Sequence, residues 1–342
     1  MIRALGIESS CDETAAAVVV DGTEVLSNAL HSQIALHERH RGVVPEIASR
    51  SHTTRILPIV EAALDDAGVT PEQLDLIAVT NRPGMVGCLL VGLSAAKTLA
   101  WMFGKPLVGV DHVQAHLHAA FMTRPDLPTP GLSLVASGGH TALYRLDAPG
   151  ETSLLGRTRD DAAGEALDKG AAVLGLPYPG GPSIEAAAAN GDPKAIRLPR
   201  TMLDRESLDF SFSGVKTALL YHLRGPGLER PAPELDAAAV ADIAASYQRA
   251  IVETLVRKMR RAAERESVRS LSIGGGVARN KLLREMIGAD PVLSRLELVF
   301  PPMDLCSDNG AMIAGLGTHL WQSGHRDGLD LDAIATARTR RA

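Results

Sequence analysis

The chain has 342 residues, a formal net charge of -5, and a composition of 45% hydrophobic and 22% charged residues. This length exceeds that of a typical single domain, so the sequence predicts two packed lobes in an ordinary soluble protein. The net negative charge argues against a protein that coats nucleic acid by charge alone. It leaves room for a local basic patch, for which the terminal Arg338, Arg340 and Arg341 are one candidate.

The cysteines and the N-terminus indicate a reducing, cytoplasmic environment without a membrane. Cys11, Cys88 and Cys306 are far apart and odd in number, which fits neither a disulfide framework nor a CxxC metal clamp. The opening MIRALGIESS has no basic stretch followed by a long apolar run. No segment approaches the roughly 20 uninterrupted apolar residues of a membrane helix. We therefore expect reduced thiols and no membrane span.

The first half of the chain alternates strands and helices. Two strands, IRALGIE and AAAVVVDG, flank the polar turn SSCDET, and VLSNAL continues after another turn. A helix around Thr53 to Gly68 follows, then the strand DLIAVT, the helix VGLSAAKTLAWMFG and the strand PLVGVD. The pattern predicts a mostly parallel sheet with helices on its faces.

Near residue 131 the strand, turn and strand pattern returns in GLSLVAS, GGHT and ALYRLD. A helix from about Asp236 to Glu266, the strand RSLSIGG, the helix ARNKLLREMI and the strand LELVFPP follow. The repetition predicts duplicated α/β lobes with a cleft between them, residues 1–130 and 131–308. The last helix, about residues 309–325, is expected to pack back on the first lobe.

Two polar turns could carry chemistry in such a cleft. SSCDET holds the carboxylates of Asp12 and Glu13, which can orient a substrate or hold a cation-bound phosphate, although Asp and Ser also favour solvated turns. VASGGHT places Gly138 and Gly139 after an apolar strand, where bare backbone N–H groups can approach an anion. Their equivalent placement in the two halves favours a nucleotide phosphate chain.

Three further residues lie where a nucleoside could bind. Asn280 stands at a helix start after three glycines, Asp168 could accept hydrogen bonds from ribose hydroxyls, and Gly181 could let a ligand lie close to backbone. A solvated helix face is the alternative for the carboxylates. The sequence contains neither GxGxxG nor GxxxxGK[ST], which argues against a Rossmann dinucleotide site and a P-loop.

The stretch DHVQAHLHAA contains three histidines. His112 and His116 are four residues apart, so on a helix they share one face and can bind one metal. His118 lies about 200° away from His116, so it is expected to serve another purpose. Paired imidazoles favour zinc or iron over magnesium, but histidines of a helix surface or a satisfied core have the same spacing.

Taken together, these stretches resemble the TsaD family, also called Gcp or YgjD. The resemblance rests on GIESSCDET, GVVPEIASRSH, DHVQAH, LVASGGHTAL, DDAAGEALDKGA, YPGGP, SFSGVKTAL, GGGVARN and SDNGAMIA, which run from residue 6 to about residue 315. It implies two duplicated RNase H-like lobes of the actin, Hsp70 and sugar-kinase (ASKHA) type with a central nucleotide cleft. It also implies a tRNA N6-adenosine threonylcarbamoyltransferase, which moves the threonylcarbamoyl group from threonylcarbamoyl-AMP to N6 of the adenosine beside the anticodon. The target is position 37 of tRNAs that read ANN codons, and AMP is released.

The resemblance also assigns roles to residues. The metal ligands are His112, His116 and Asp308, for iron or else zinc. Asp12 and Glu13 correspond to an acidic pair needed for activity. The expected contacts to the adenylate are Val135, Ala136, Ser137, Gly138, Gly139, Asp168, Gly181, Glu185 and Asn280. Archaeal relatives have a tyrosine ligand where this chain has Val135, so we expect three protein ligands, with the other positions left to substrate or water.

The family resemblance implies partners: tRNA, a TsaB-like paralogue, a TsaE-like ATPase and a TsaC-type synthase that supplies the adenylate. Three other functions compete with the transferase. A metalloprotease would need HExxH, but Val113 follows His112. A small-molecule kinase of the same fold would hold magnesium by carboxylates and waters rather than by a histidine pair. A scaffold that only binds partners would not need all three candidate ligands.

Overall fold

The structure is a computed structural model that describes residues 1–37, 42–201, 206–231 and 233–336, with the backbone alone at residue 303. The basic patch considered at Arg338, Arg340 and Arg341 lies outside these residues. In chain order the strands are β1 (Arg3–Glu8), β2 (Glu13–Val20), β3 (Glu24–Ser32), β4 (Leu76–Arg82), β5 (Leu107–Asp111), β6 (Gly131–Ala136), β7 (Thr141–Ala148), β8 (Glu151–Arg157), β9 (Ser270–Gly274) and β10 (Glu297–Val299). The helices are α1 (Ile34–His37), α2 (Pro45–Ala67), α3 (Val86–Phe103), α4 (His112–Thr123), α5 (Ala163–Val173), α6 (Gly180–Ala188), α7 (Ser213–Arg224), α8 (Ala237–Glu266), α9 (Lys281–Ala289), α10 (Met303–Cys306) and α11 (Gly310–Gln322).

The chain divides into two compact units. Of the described residues, the first contains Met1–Leu127, Ala148–Thr152 and residues 301–336, and the second contains Pro128–Asp147 and Ser153–Phe300. The last helix, α11, therefore belongs to the first unit, where it packs against β1, β2 and β4.

The first unit contains a five-stranded sheet in the order β3-β2-β1-β4-β5. The sheet is mixed, and the expectation of a mostly parallel sheet is wrong, because tight turns join β1 to β2 and β2 to β3 as antiparallel neighbours. The pairs of β1 with β4 and of β4 with β5 are parallel, with α3 connecting the second pair.

Helices cover both faces of this sheet. Neighbouring residues of β2 alternate between two cores: Val19 packs with α4 and α11, and Val18 packs with α2 and α3. Since both faces are buried, β1 and β2 read as nearly continuous apolar runs. Gly6 of β1 lies so close to α11 that a β-carbon there would meet the Gly310 carbonyl oxygen, so α11 begins directly against the sheet.

Helix α2 begins at Pro45, eight residues before the start that the sequence predicted near Thr53. Proline is favoured in the first helical turn because its missing N–H has no partner there anyway. The polar residues that follow Pro45 lie on solvent-facing and sheet-facing sides of a regular helix rather than in a loop.

The second unit contains a five-stranded sheet in the order β10-β9-β6-β7-β8. Strand β6 is antiparallel to β7 and parallel to β9, and β9 is parallel to β10. Read from β8, the order is β8-β7-β6-β9-β10, which repeats the arrangement of third, second, first, fourth and fifth strands seen in the first unit.

One described helix, α3, is long and apolar enough to cross a membrane, with 18 residues and a mean hydropathy of 1.6. Its Leu93, Ala96 and Ala100 pack into the core beside β1 and β4. The core helix of a globular unit meets the same criterion of length and composition.

Candidate functional site

The histidine stretch forms α4, which follows β5 directly. The Asp111 side chain caps this helix by accepting hydrogen bonds from the backbone N–H groups of Val113 and Gln114. His112 and His116 lie one helical turn apart and are both buried, with ring centroids 4.7 Å apart and ring planes at 89°. The cap thus fixes the helix start from which both rings project.

Asp308 meets this histidine pair from the start of α11. Its Oδ1 lies 3.0 Å from Nε2 of His116 and 3.4 Å from Nε2 of His112. Asn309 caps α11 by accepting a hydrogen bond from the N–H of Met312. Because α11 packs closely against β1, Asp308, the residue before this cap, lies beside α4. One ligand atom from each of His112, His116 and Asp308 lies within 4.8 Å of the others. We call these three residues the triad.

The charges of the triad depend on one another. Burial alone would lower the pKa of His112, but the carboxylates of Asp308 and Glu8 outweigh burial and raise that pKa well above its ordinary value. Burial would raise the pKa of Asp308, but His112 and His116 hold it well below its ordinary value. Two imidazole nitrogens and one carboxylate oxygen that converge in this way fit a transition metal held by three protein ligands, with further positions left open.

Glu8, which the sequence patterns did not indicate, contacts the triad through His112. This last residue of β1 is fully buried, and its Oε2 lies 2.9 Å from Nδ1 of His112 and 2.6 Å from Oγ1 of Thr80. Its Oε1 accepts from the backbone N–H of Ser10. A carboxylate directly after the uncharged run of residues 4–7 was the available signal in the sequence.

The acidic turn lies between β1 and β2. Burial, with the charges of Asp308 and Asp12 added, raises the pKa of Glu13 well above its ordinary value. The turn is tethered to the chain after β3, where the backbone N–H of Gln33 donates to the Asp12 carbonyl. Burial, with Asp12 and Asp308 nearby, also raises the pKa of the Cys11 thiol, so this cysteine is a protonated thiol rather than a nucleophile.

His52 of α2 holds the same turn in place and was also missed. Its Nε2 lies 3.0 Å from the Cys11 carbonyl oxygen, and its Nδ1 lies 2.8 Å from Oγ1 of Thr14. Burial lowers the pKa of His52, so the ring is neutral, with Nε2 donating and Nδ1 accepting.

The third histidine of α4 has a separate environment. His118 packs against Phe121 and His319, with ring centroids 6.1 Å and 5.6 Å away. Burial lowers the pKa of His118 to about 3, so the ring is neutral. It takes no part in the triad.

The second unit contains the glycine turn that follows β6. Val135 and Ala136 are buried in the strand, whereas Gly138 and Gly139 are exposed and have open space beside their α-carbons. The Ser137 N–H donates to the His140 carbonyl oxygen at 2.8 Å, which closes the turn. The result is a stretch of bare backbone at the end of a strand, as an anion-binding turn requires.

Asp168 and Gly181 lie together at the start of α6. Oδ1 of Asp168 accepts from the Gly180 N–H at 2.6 Å, so this carboxylate caps the helix. Burial raises the pKa of Asp168, although the backbone donors oppose that rise. A β-carbon at Gly181 would meet only the Leu167 side chain, at 3.9 Å, so the Gly181 backbone is open to a ligand.

Asn280 and Glu185 meet at the start of α9. The side-chain oxygen of Asn280 accepts from the Leu283 N–H at 3.0 Å, and Glu185 accepts from the Lys281 N–H at 3.4 Å. Both residues therefore cap the start of α9. The structure places these adenylate-contact candidates in the second unit, and the triad and acidic turn in the first.

The comparisons with known proteins agree on one family. The family model described as "TsaD: tRNA N6-adenosine threonylcarbamoyltransferase" matches residues 24–315. A relative from Anaeromyxobacter dehalogenans (strain 2CP-C) is 53% identical over 334 residues, covering 97% of this chain and 98% of its own. A relative from Syntrophobacter fumaroxidans is 53% identical over 337 residues, covering 98% of both chains. Both are named tRNA N6-adenosine threonylcarbamoyltransferase.

Solved structures resemble this chain in fold alone. Component A of (R)-2-hydroxyglutaryl-CoA dehydratase from Acidaminococcus fermentans aligns with a TM-score of 0.56 at 14% identity, covering 94% of this chain and 99% of its own. HypF from T. kodakarensis aligns with a TM-score of 0.60 at 17% identity, covering 94% of this chain and 48% of its own.

Proposed function

The chain belongs to the TsaD family of tRNA N6-adenosine threonylcarbamoyltransferases, and we propose that it transfers the group from threonylcarbamoyl-AMP to adenosine 37 of tRNAs that read ANN codons. It is a transferase that modifies tRNA. AMP is the leaving group in the proposed reaction. The observation that carries the proposal is the triad, because its converging nitrogen and oxygen atoms stand beside the acidic turn that the same family resemblance assigns to activity.

The two α/β units repeat one arrangement of strands. The two sheets have the same strand order, with the first strand of each unit in the centre and antiparallel to the second. Such a repetition supports duplicated lobes of the actin, Hsp70 and sugar-kinase type. Component A of the dehydratase and HypF, both with TM-scores above 0.5, support the general fold.

His112, His116 and Asp308 would hold one divalent metal. Two imidazoles with one carboxylate suit iron, and zinc is the second candidate. The side chain of Val135 is a hydrocarbon without a metal-binding atom, so it cannot add a fourth ligand. When bound, the metal supplies positive charge that stabilises negative charge developing on phosphate or carbamoyl oxygens.

The adenylate would lie against the second unit. The N–H groups of Gly138 and Gly139 would bind its phosphate, with Val135, Ala136 and Ser137 providing the strand end that positions them. Asp168 and Asn280 would bind the ribose and base, Gly181 would allow close backbone approach, and Glu185 would hold Asn280 in place through the start of α9. The chain thus positions an already activated donor.

In the transfer step the N6 nitrogen of adenosine attacks the carbamoyl carbon and forms a carbon–nitrogen bond. The bond from that carbon to the phosphate oxygen breaks, AMP leaves with the electron pair, and N6 loses a proton. Asp12 and Glu13 would orient the reacting groups. No covalent enzyme intermediate is needed, and the raised pKa of Cys11 suits a residue without a nucleophilic role.

The substrate tRNA is implied by the activity, and the other partners are part of the proposal. They are a TsaB-like paralogue, a TsaE-like ATPase and a TsaC-type synthase, all in the cytoplasm. Helix α3 exposes the apolar side chains of Val86, Leu90, Trp101 and Met102, by 45%, 46%, 73% and 60%. An apolar surface of this kind favours a protein partner. Co-elution of the chain with the purified paralogue tests the pairing.

Nucleoside mass spectrometry of tRNA tests the function. The purified chain is incubated with its partners, the synthase, threonine, bicarbonate, ATP and unmodified tRNA. Threonylcarbamoyladenosine at position 37 is expected, and it should be lost in His116→Ala together with bound metal. A folded chain that forms no modified nucleoside under these conditions would refute the proposed function.

A further inference from the structure

Glu8 is not a member of the triad, but its buried carboxylate contacts one of the triad's histidines. Its side chain is 1% exposed and lies within hydrogen-bond distance of three groups: the Ser10 N–H, the Thr80 hydroxyl and Nδ1 of His112. An ionised carboxylate only accepts hydrogen bonds, so three donors around it fix the direction of each. The proton shared with His112 therefore lies on Nδ1.

The position of Glu8 is set by the sheet rather than by a flexible loop. Strand β1 is paired on one side with β2 and on the other with β4, and Thr80 belongs to β4. The Glu8 backbone pairs with Ala15 in this register. The Glu8 backbone is therefore held by β2 and its carboxylate by Thr80 of β4, so the carboxylate has a fixed position beside the imidazole of His112.

The two histidines of the triad differ in this respect. Nδ1 of His112 lies 2.9 Å from Glu8 and 3.3 Å from the Ser10 hydroxyl. Nδ1 of His116 is buried and has no hydrogen-bond partner among the described residues. Of the two rings, His112 is the one whose orientation and protonated nitrogen are fixed by a charged neighbour.

We propose that Glu8 is a positioning residue that holds the proton of His112 on Nδ1 and thereby presents Nε2 of that ring to the metal. His112 then serves as the fixed ligand, and His116 and Asp308 adjust around it. This inference rests on the metal site of the proposed function. Carboxylate partners of metal-bound histidines orient the ring and raise its basicity, and their loss typically weakens metal binding about 10- to 100-fold.

The test compares zinc affinity in three proteins by competition with a chromophoric chelator. Glu8→Gln keeps the shape of the side chain and removes its charge. Asp327→Asn is the matched control, because Asp327 accepts from the Gly109 N–H of β5 at 2.7 Å and supports the strand that leads into α4 without touching the triad. Circular dichroism and thermal unfolding check that each variant is folded.

The expected result is a zinc affinity about 10- to 100-fold weaker in Glu8→Gln, with unchanged affinity in Asp327→Asn. Equal affinity in wild type and Glu8→Gln would overturn the inference while leaving the metal site intact. A wild-type chain that binds no metal would overturn both this inference and the metal site, whereas formation of the modified nucleoside would still test the transferase activity separately.

A second measurement does not depend on the folding of a variant. In zinc-loaded wild-type protein, correlation spectra of the histidine ring nitrogens should show His112 bound through Nε2 with its proton on Nδ1. Coordination of His112 through Nδ1, or an Nδ1 proton that exchanges with solvent as fast as that of an exposed histidine, would contradict the role of Glu8.

Discussion

The pH dependence of metal binding follows from the electrostatics of the triad. Asp308 and Glu8 raise the pKa of His112 well above its ordinary value of 6.5, so the metal-free ring keeps its second proton to a higher pH than an ordinary histidine does. A metal on Nε2 must displace that proton, so binding releases a proton and strengthens as pH rises. Each pH unit below the raised pKa should change the apparent affinity about tenfold, or about 1.4 kcal/mol.

The assay is a zinc titration against a competing chelator at constant ionic strength, repeated between about pH 7 and about pH 8, where a histidine of ordinary pKa would already be neutral. Calorimetry in two buffers of different ionisation enthalpy counts the protons released. A stronger affinity at the upper end of that interval, with proton release on binding, is expected. The same affinity at both ends of the interval, without proton release, would refute the assignment of a raised pKa to His112.

Three further predictions concern the surroundings of the site. Gly164→Ala should lower the transfer rate by up to about 100-fold, because its β-carbon would meet the Ser137 carbonyl oxygen and shift the glycine turn. The control is Gly288→Ala, which has open space around it in α9 and should keep the rate while adding about 0.5–1 kcal/mol of stability. Equal transfer rates in the two variants would contradict the reasoning. Asp168→Ala should lower the free energy of unfolding in urea by about 1 kcal/mol through loss of the α6 cap, whereas Asp168→Asn should retain it, and equal losses would count against the cap. His118→Gln should leave the metal content unchanged, since burial keeps the pKa of this ring at about 3 and it faces away from the triad; loss of metal from the folded variant would place His118 in the site.

Local patterns predicted the elements of the fold better than their pairing. The alternation of apolar strands and helices identified both α/β units, but short turns after β1 and β2 make half of the first sheet antiparallel. Strand direction depends on which strands become neighbours, and β1 pairs with β4 about 70 residues later in the chain. The period of the sequence carries no information about that pairing.

In the site, too, local spacing predicted the contacts within one helix but not those between distant parts of the chain. The spacing of His112 and His116 predicted a shared helix face, and the structure has both rings on one side of α4. Asp308 came only from the family resemblance, because the contact of α11 with β1 depends on close backbone approach at Gly6. Glu8 was missed since its partners, Thr80 and His112, are brought to it by sheet pairing.

Two of the residues predicted to contact the adenylate have a structural role of their own. Asp168 and Asn280 were predicted as ligand contacts, and in the structure each caps a helix. Asn280 stands at the start of α9, where a capping Asn is common, and Asp168 reaches the start of α6 from within α5. Their binding to the nucleoside is a proposal that the helix caps neither require nor oppose.

The central claim is that the triad holds a metal on which threonylcarbamoyl transfer depends. The most direct measurement is the rate at which threonylcarbamoyladenosine forms in tRNA, followed by mass spectrometry, for the chain as purified, after chelation and after addition of iron or zinc. The account predicts that chelation abolishes formation and that one metal equivalent restores it in wild type but not in His116→Ala. Undiminished formation by a folded chain shown to contain no metal would contradict it.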